Sequence, residues 1–377
     1  MIARRDFLIG AGAMAAAASQ RAWAAEPPAR AMYDRAMVVN ALGGPGGYDP
    51  KQERGAPMTA KLLADAKASG VTAVNITVSA VGNIPEGYEW SIANIAEMNC
   101  EIDLNPGLFM AIRKGADLRA AKDSGRMGFI YGMQDSMPFG AAFRDRLDTF
   151  HSLGVRIVQP TYNIRNLFGD GCLEPANGGL SRLGRELITE LNKRRILVDV
   201  SHAGSKVHSE AIALSSAPVA ITHSGCRALR DHPRNTTDAN LKALADKGGV
   251  MGLYFMPYLR EGGGQPRAED LIAHIEHAWK VAGEDHVGLG TDGSITGIEL
   301  TPEFKKRFVE ANEERQKAGY AAPGDENPTG YLFINEYNDP RRFETLAGDL
   351  LKRGHSTARV EKLLGSNFAR LFTEVWG

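Results

Sequence analysis

Eight short apolar runs, separated by stretches of helical period, constrain this chain more than any other feature of its sequence. They fall at 37–39, 71–78, 127–133, 155–160, 196–200, 219–222, 250–255 and 286–290. Between most of them, for instance at 59–68, 184–193, 240–246 and 268–282, apolar residues recur at the spacing of an amphipathic helix. Strands that are apolar nearly throughout are buried on both faces, the mark of parallel strands joined by helices. Eight such units over about 340 residues predict an α/β protein of the (β/α)8 TIM-barrel type rather than an open doubly wound sheet. The glycine-rich run Leu42-Gly43-Gly44-Pro45-Gly46-Gly47 contains a proline and opens no helix, so it is no dinucleotide or phosphate loop.

Forty-four Lys and Arg against forty-five Asp and Glu leave a net charge of -1. No electrostatic footprint for nucleic acid or an anionic membrane is present. Three cysteines, Cys100, Cys172 and Cys226, lie too far apart for a disulfide framework or a Cys-based zinc module, so a metal would be held by His and carboxylates. At the N-terminus, Arg4-Arg5 precede an apolar stretch of small residues, and Ala22-Trp23-Ala24 offers a cleavage site. Residues 1–24 are expected to be a twin-arginine-type signal, leaving 25–377 as a single periplasmic barrel domain. No later segment approaches the ~20 apolar residues of a stable membrane span.

In a barrel, chemistry belongs at the C-terminal ends of the strands. Strand five ends in Asp199-Val200-Ser201-His202, strand six in Ile221-Thr222-His223, and strand eight in Gly290-Thr291-Asp292. Two imidazoles and a carboxylate from three strand ends suit Zn²⁺ with one position left for water. Strand three ends in Gln134-Asp135, where Gln134 is either a further ligand or a loop cap.

These residues carry a resemblance over nearly the whole mature chain. The run from Gly179-Leu180-Ser181 to Ser201-His202 is similar to the renal (membrane) dipeptidase family, peptidase family M19. Thr222-His223-Ser224, Arg234-Asn235 with Asp238, 282–290 and the C-terminal 364–372 follow in that family's order. The resemblance implies a (β/α)8 metallohydrolase with two bridged zinc ions that cleaves dipeptides, often tolerating a D-residue at the C-terminal position. His202 and His223 match two ligands of one zinc, Asp292 matches the strand-eight Asp, and Arg234 matches the Arg that holds the substrate carboxylate.

The departures are as informative. Where the family's first strand ends in His-x-Asp, this chain has Leu42-Gly43-Gly44, and neither Leu42 nor Gly44 can coordinate a metal. The bridging Glu of strand three is replaced by Gln134, and the His after strand four that helps stabilise the tetrahedral intermediate by Tyr162. One zinc ion is expected at most, on His202 and His223 with Asp292 or Gln134 completing the shell. Asp292 is alternatively free to act as general base.

The loop 162–181 follows strand four and holds Asn163, Arg165, Asn166, Asp170 and Glu174. It binds substrate, with Asn163 and Asn235 as polar contacts beside Arg234, or replaces the missing metal ligands, or is a solvated loop closed by Asn/Gly turns. The segment 298–338, after strand eight, emerges on the catalytic face and is expected to be a lid or a homodimer contact, since Tyr331 to Ile334 would leave an apolar patch if exposed. His274 and His277 are read as helix packing, His232 as a loop hydrogen bond, and 305–317 as a solvated helix face. Three functions follow: a hydrolase of dipeptides or small amides bearing a free carboxylate, an enzyme of the same fold tailoring a peptide-derived metabolite, and an inactive binding protein.

Overall fold

A computed structural model describes residues 27–45, 55–82 and 84–377. The expected signal at 1–24 lies outside them. The apolar runs supply β1 (Val39–Asn40), β2 (Ala73–Thr77), β3 (Met127–Met133), β4 (Val155–Val158), β5 (Leu197–Val198), β6 (Ala220–Ser224), β7 (Val250–Leu253) and β8 (Val287–Leu289), all paired in parallel. Two ladders, β1 to β5 and β6 to β8, are joined at two seams. Asp199 bridges Ala220 in parallel, and the Ala41 amide donates to the Leu289 carbonyl at 2.9 Å. The ring closes as a (β/α)8 barrel.

Every residue of β3 is buried, and alternate side chains serve two cores. Ile130 points inward with Val39, Ala73, Ile157, Leu197, Ala220 and Val250, whereas Phe129 and Tyr131 join the larger shell between strands and helices. The inner core is plugged from below by the closing helix Asn367–Trp376. Its Phe368 lies so close to β8 that a Cβ on Gly288 would come within 2.5 Å of the ring. Burying that phenyl contributes about 1.5–3 kcal/mol. Thr59, Ser181 and Thr237 cap outer helices, each accepting from the amide three residues on, a contribution of about 1 kcal/mol per cap.

A short strand, Phe109–Ala111, pairs beside the start of β3 and has no counterpart among the apolar runs. After β8, Gly293–Ser294 pairs with Gly43–Gly44, and the chain then forms the helix Pro302–Lys317. Phe304, Phe308, Tyr331 and Phe333 build a small core of their own. The run 331–334 therefore leaves no apolar patch, and that basis for a subunit contact is gone. Among the described residues no helix is long and apolar enough to cross a membrane.

Candidate active site

Above the plugged core the barrel interior turns polar. Asp199, at the end of β5, is fully buried, and its carboxylate accepts from the Ser201 amide (3.1 Å) and hydroxyl (2.5 Å), the Thr222 amide (3.0 Å) and hydroxyl (2.6 Å), and Gln159 Nε2 (2.8 Å). Burial raises its pKa and these donors oppose the shift. The Thr222 hydroxyl proton is thus committed to Asp199. Thr222 Oγ1 has only lone pairs for His223 Nδ1, 2.8 Å away, so that nitrogen donates. His202 Nδ1 likewise donates to Asn163 Oδ1 at 2.6 Å. Both imidazoles therefore turn Nε2 lone pairs toward one point, 2.9 Å apart.

Arg234 enters from the turn after β6. Its NH2 lies 3.1 Å from His202 Nε2 and its NH1 bonds the Ser201 carbonyl. Burial and this guanidinium hold both histidines well below the usual imidazole range, so they stay neutral. Tyr162 stacks on His202 with ring centroids 4.0 Å apart. At the end of β8, Asp292 adopts a left-handed backbone, φ 56°, unusual for a residue other than Gly. Burial pushes its carboxyl up to about 6, against the charges of Arg234 and Arg315. Asp292, Cys172 and Gln134 each keep partial exposure.

The two asparagines expected to contact substrate are already engaged. Asn163 bonds His202 and the Tyr320 carbonyl, and Asn235 donates to the Arg230 and Tyr258 carbonyls while accepting from the Tyr254 hydroxyl. Both are positioning residues. Gln134 donates to Thr77 Oγ1 at 2.6 Å. Asp135 faces away, accepting from Gly82, Met137 and Asn166.

The loop 162–181 is tightly built, with Arg165 bonding Asp170 through two nitrogens. Gly171 packs so closely that a Cβ would sit 2.2 Å from the Tyr162 carbonyl oxygen. Its Cys172 abuts Asn163 at 3.4 Å, a site residue that no pattern in the sequence singles out. Arg315 is also new to the site. Far from being part of a solvated face, it turns inward to pair with Asp325 at 3.0 Å. Asp325 also accepts from the Tyr258 hydroxyl, and His232 bonds the Pro323 carbonyl at 2.8 Å. The insertion is thereby docked on the mouth. His274 is buried and bonds the Cys226 amide and Leu259 carbonyl, and His277 pairs with Asp238.

The bridged two-zinc centre does not fit these residues. Leu42 is buried and Gly43–Gly44 lies in a strand ladder. Among the described residues, no group of three or more His, Cys, Asp or Glu is placed to hold an ion, so Asp292 does not join His202 and His223. Catalytic zinc sites use three protein ligands. The guanidinium beside His202 adds a positive charge where a metal would need a negative one.

Comparison with known proteins agrees with this fold. The chain is 34% identical over 271 residues, 69% of its length and 87% of the relative's, to an uncharacterised protein of the pqqA 5′ region of Klebsiella pneumoniae. It is 30% identical over 227 residues, 60% of its length, to the dipeptidase verJ of Clonostachys rogersoniana, and spans half the length of that relative. The crystal structure of an amidohydrolase from Pseudomonas aeruginosa superposes with a TM-score of 0.77 at 33% identity, covering 93% of this chain and 99% of that one. The model of membrane dipeptidase, peptidase family M19, matches residues 66–306. The chain belongs to the membrane dipeptidase family, a family of metallopeptidases, and is a hydrolase of the TIM-barrel type.

Proposed function

We propose that this chain is an exported hydrolase of dipeptides or related small amides that carry a free carboxylate. One juxtaposition carries the reading: the buried Arg234 guanidinium lies near enough for its charge to act on Asp292, whose pKa of about 6 suits a general base. Two of its five N–H groups go to Ser201 and His202, which leaves donors for a substrate carboxylate. Asp292 removes a proton from water as the oxygen attacks the amide carbon. The Tyr162 hydroxyl, kept protonated by burial, and the nearby Arg315 stabilise the oxyanion. Asp292 then returns the proton to the departing nitrogen, and the C–N bond breaks to give an acid and an amine.

The two Nε2 lone pairs offer a place for one zinc ion at most, and no step above passes through it. Arg4-Arg5 and Ala22-Trp23-Ala24 support export to the periplasm. The losses at Leu42, Gly44 and Gln134 favour a second reading, a different reaction on a peptide-derived metabolite. A panel of free dipeptides, with L- or D-residues at the C-terminal position, and of their carboxamides separates the two. Release of amino acids from the carboxylates alone supports the hydrolase. Carboxylate binding without hydrolysis across the panel moves the assignment to the second reading, and equal turnover of the carboxamides removes Arg234's role.

A further inference from the structure

Behind the turn that carries Arg234 lies a small, partly closed cavity, lined in part by His208, Arg227, Arg234, Thr236 and Asn240. His208, on the helix Ser205–Leu214, is 4% exposed; the Val200 and Ala203 carbonyls lie near its ring, but neither nitrogen makes a well-formed hydrogen bond. The other buried histidines differ. His202, His232 and His274 each engage both nitrogens, and His223 turns its bare Nε2 into the site beside His202. Burial pushes the His208 pKa down to about 4 against the pull of the Val200 and Ala203 carbonyls, so the ring is neutral and its bare nitrogen has no donor facing it. Buried polar groups without partners are rare in folded proteins, and ordered water is the usual remedy. The cavity gives the centre of a water molecule about 10 Å³, room for a single water.

We propose that one ordered water occupies this cavity bonded to His208, and that His208 acts through it as a positioning residue for Arg234. The turn is already tied on its outer side. Asn235 bonds Arg230 and Tyr258, and Arg227 bonds the His232 carbonyl at 3.0 Å. Its inner side faces the helix of His208 across the cavity, so a water there braces the second side and fixes the angle at which the guanidinium meets a carboxylate. The positioning role rests on the function proposed above. The water does not.

Crystals of the full chain, grown with and without sodium bromide, test the water without any variant. Density for a water in hydrogen-bond range of His208 and a second lining group is expected. An empty cavity overturns the proposal, as does a bromide anomalous peak, which would make this an anion site between two arginines. Calorimetry with a dipeptide and its C-terminal carboxamide as probes tests the positioning. His208→Leu should reduce the preference for the carboxylate about tenfold. His208→Gln, which keeps a donor and an acceptor, should hold it within about twofold. Equal loss in both variants, or none in His208→Leu, refutes the positioning role. A wild type without carboxylate preference removes that role together with the function it rests on, while the density at His208 still decides the water.

Discussion

Asn163 holds His202 by its ring: Oδ1 accepts from Nδ1 at 2.6 Å while the other end of the same amide donates to the Tyr320 carbonyl at 2.8 Å. The orientation of a histidine at the barrel mouth is therefore tied to the docking of the insertion after β8. Tyr320 also sits edge-on to Tyr162, which stacks on His202. The insertion is held further by Asp325, which joins Arg315 to Tyr258 across the mouth.

Asn163→Ala removes both bonds and strands a buried imidazole N–H and a part-buried carbonyl, so a stability loss of about 1–3 kcal/mol is expected. If the insertion moves as a lid, limited proteolysis should cut this variant near Asp325 faster than wild type. A dipeptide ligand should protect the wild type there. Cutting that ignores ligand but falls at high protein concentration would instead mark the segment as a contact between copies.

Arg234→Lys keeps the charge and loses the planar fork that can meet a carboxylate with two parallel hydrogen bonds. Binding of a free dipeptide should weaken by about 1.5–3 kcal/mol. The C-terminal carboxamide should bind wild type and variant alike. Calorimetry on the two ligands checks this, and equal weakening of both would remove Arg234 as the carboxylate anchor.

The barrel was legible because its strands are apolar on both faces, as in the β3 run Met127–Met133, and because stretches of helical period such as 184–193 and 268–282 lie between them. The strand ends placed His202, His223 and Asp292 at one mouth for the same reason. What pattern could not give was which polar side chains would be used up inside the protein. Asn163 and Asn235 resemble substrate contacts until their partners are seen, and those partners, Tyr320 and Tyr258, come from distant loops. Arg315 occupies a charged helix whose composition reads as solvated, and only the return of Asp325 draws it inward. His208 follows a helical period that says nothing of a cavity beside it.

Metal content follows from the donor set. Protein purified without added metal should carry no more than one divalent ion per chain by elemental analysis, and replacing His202 and His223 together with Ala should abolish it. Two ions per chain would show that the loop 162–181 supplies ligands in place of those missing from the first strand.

The pH dependence of Asp292 gives activity and stability opposite signs. As a general base it must be ionised, so kcat/KM for a dipeptide should rise through about pH 6 and level above it. Its folded pKa is raised from the ordinary 3.8, so its contribution to stability is fully present below that value and is lost as pH rises through about 6. The shift corresponds to roughly 3 kcal/mol of cost for the ionised form. Asp292→Asn, neutral at every pH, escapes that cost. Its thermal stability relative to wild type should grow from pH 4 to about pH 7 and then level off, while hydrolysis falls to background. Thermal melts across this range, paired with the pH profile of the wild type, check both. A variant that loses stability relative to wild type as pH rises would mean that Arg234 and Arg315 hold Asp292 ionised, and the base would have to be sought elsewhere.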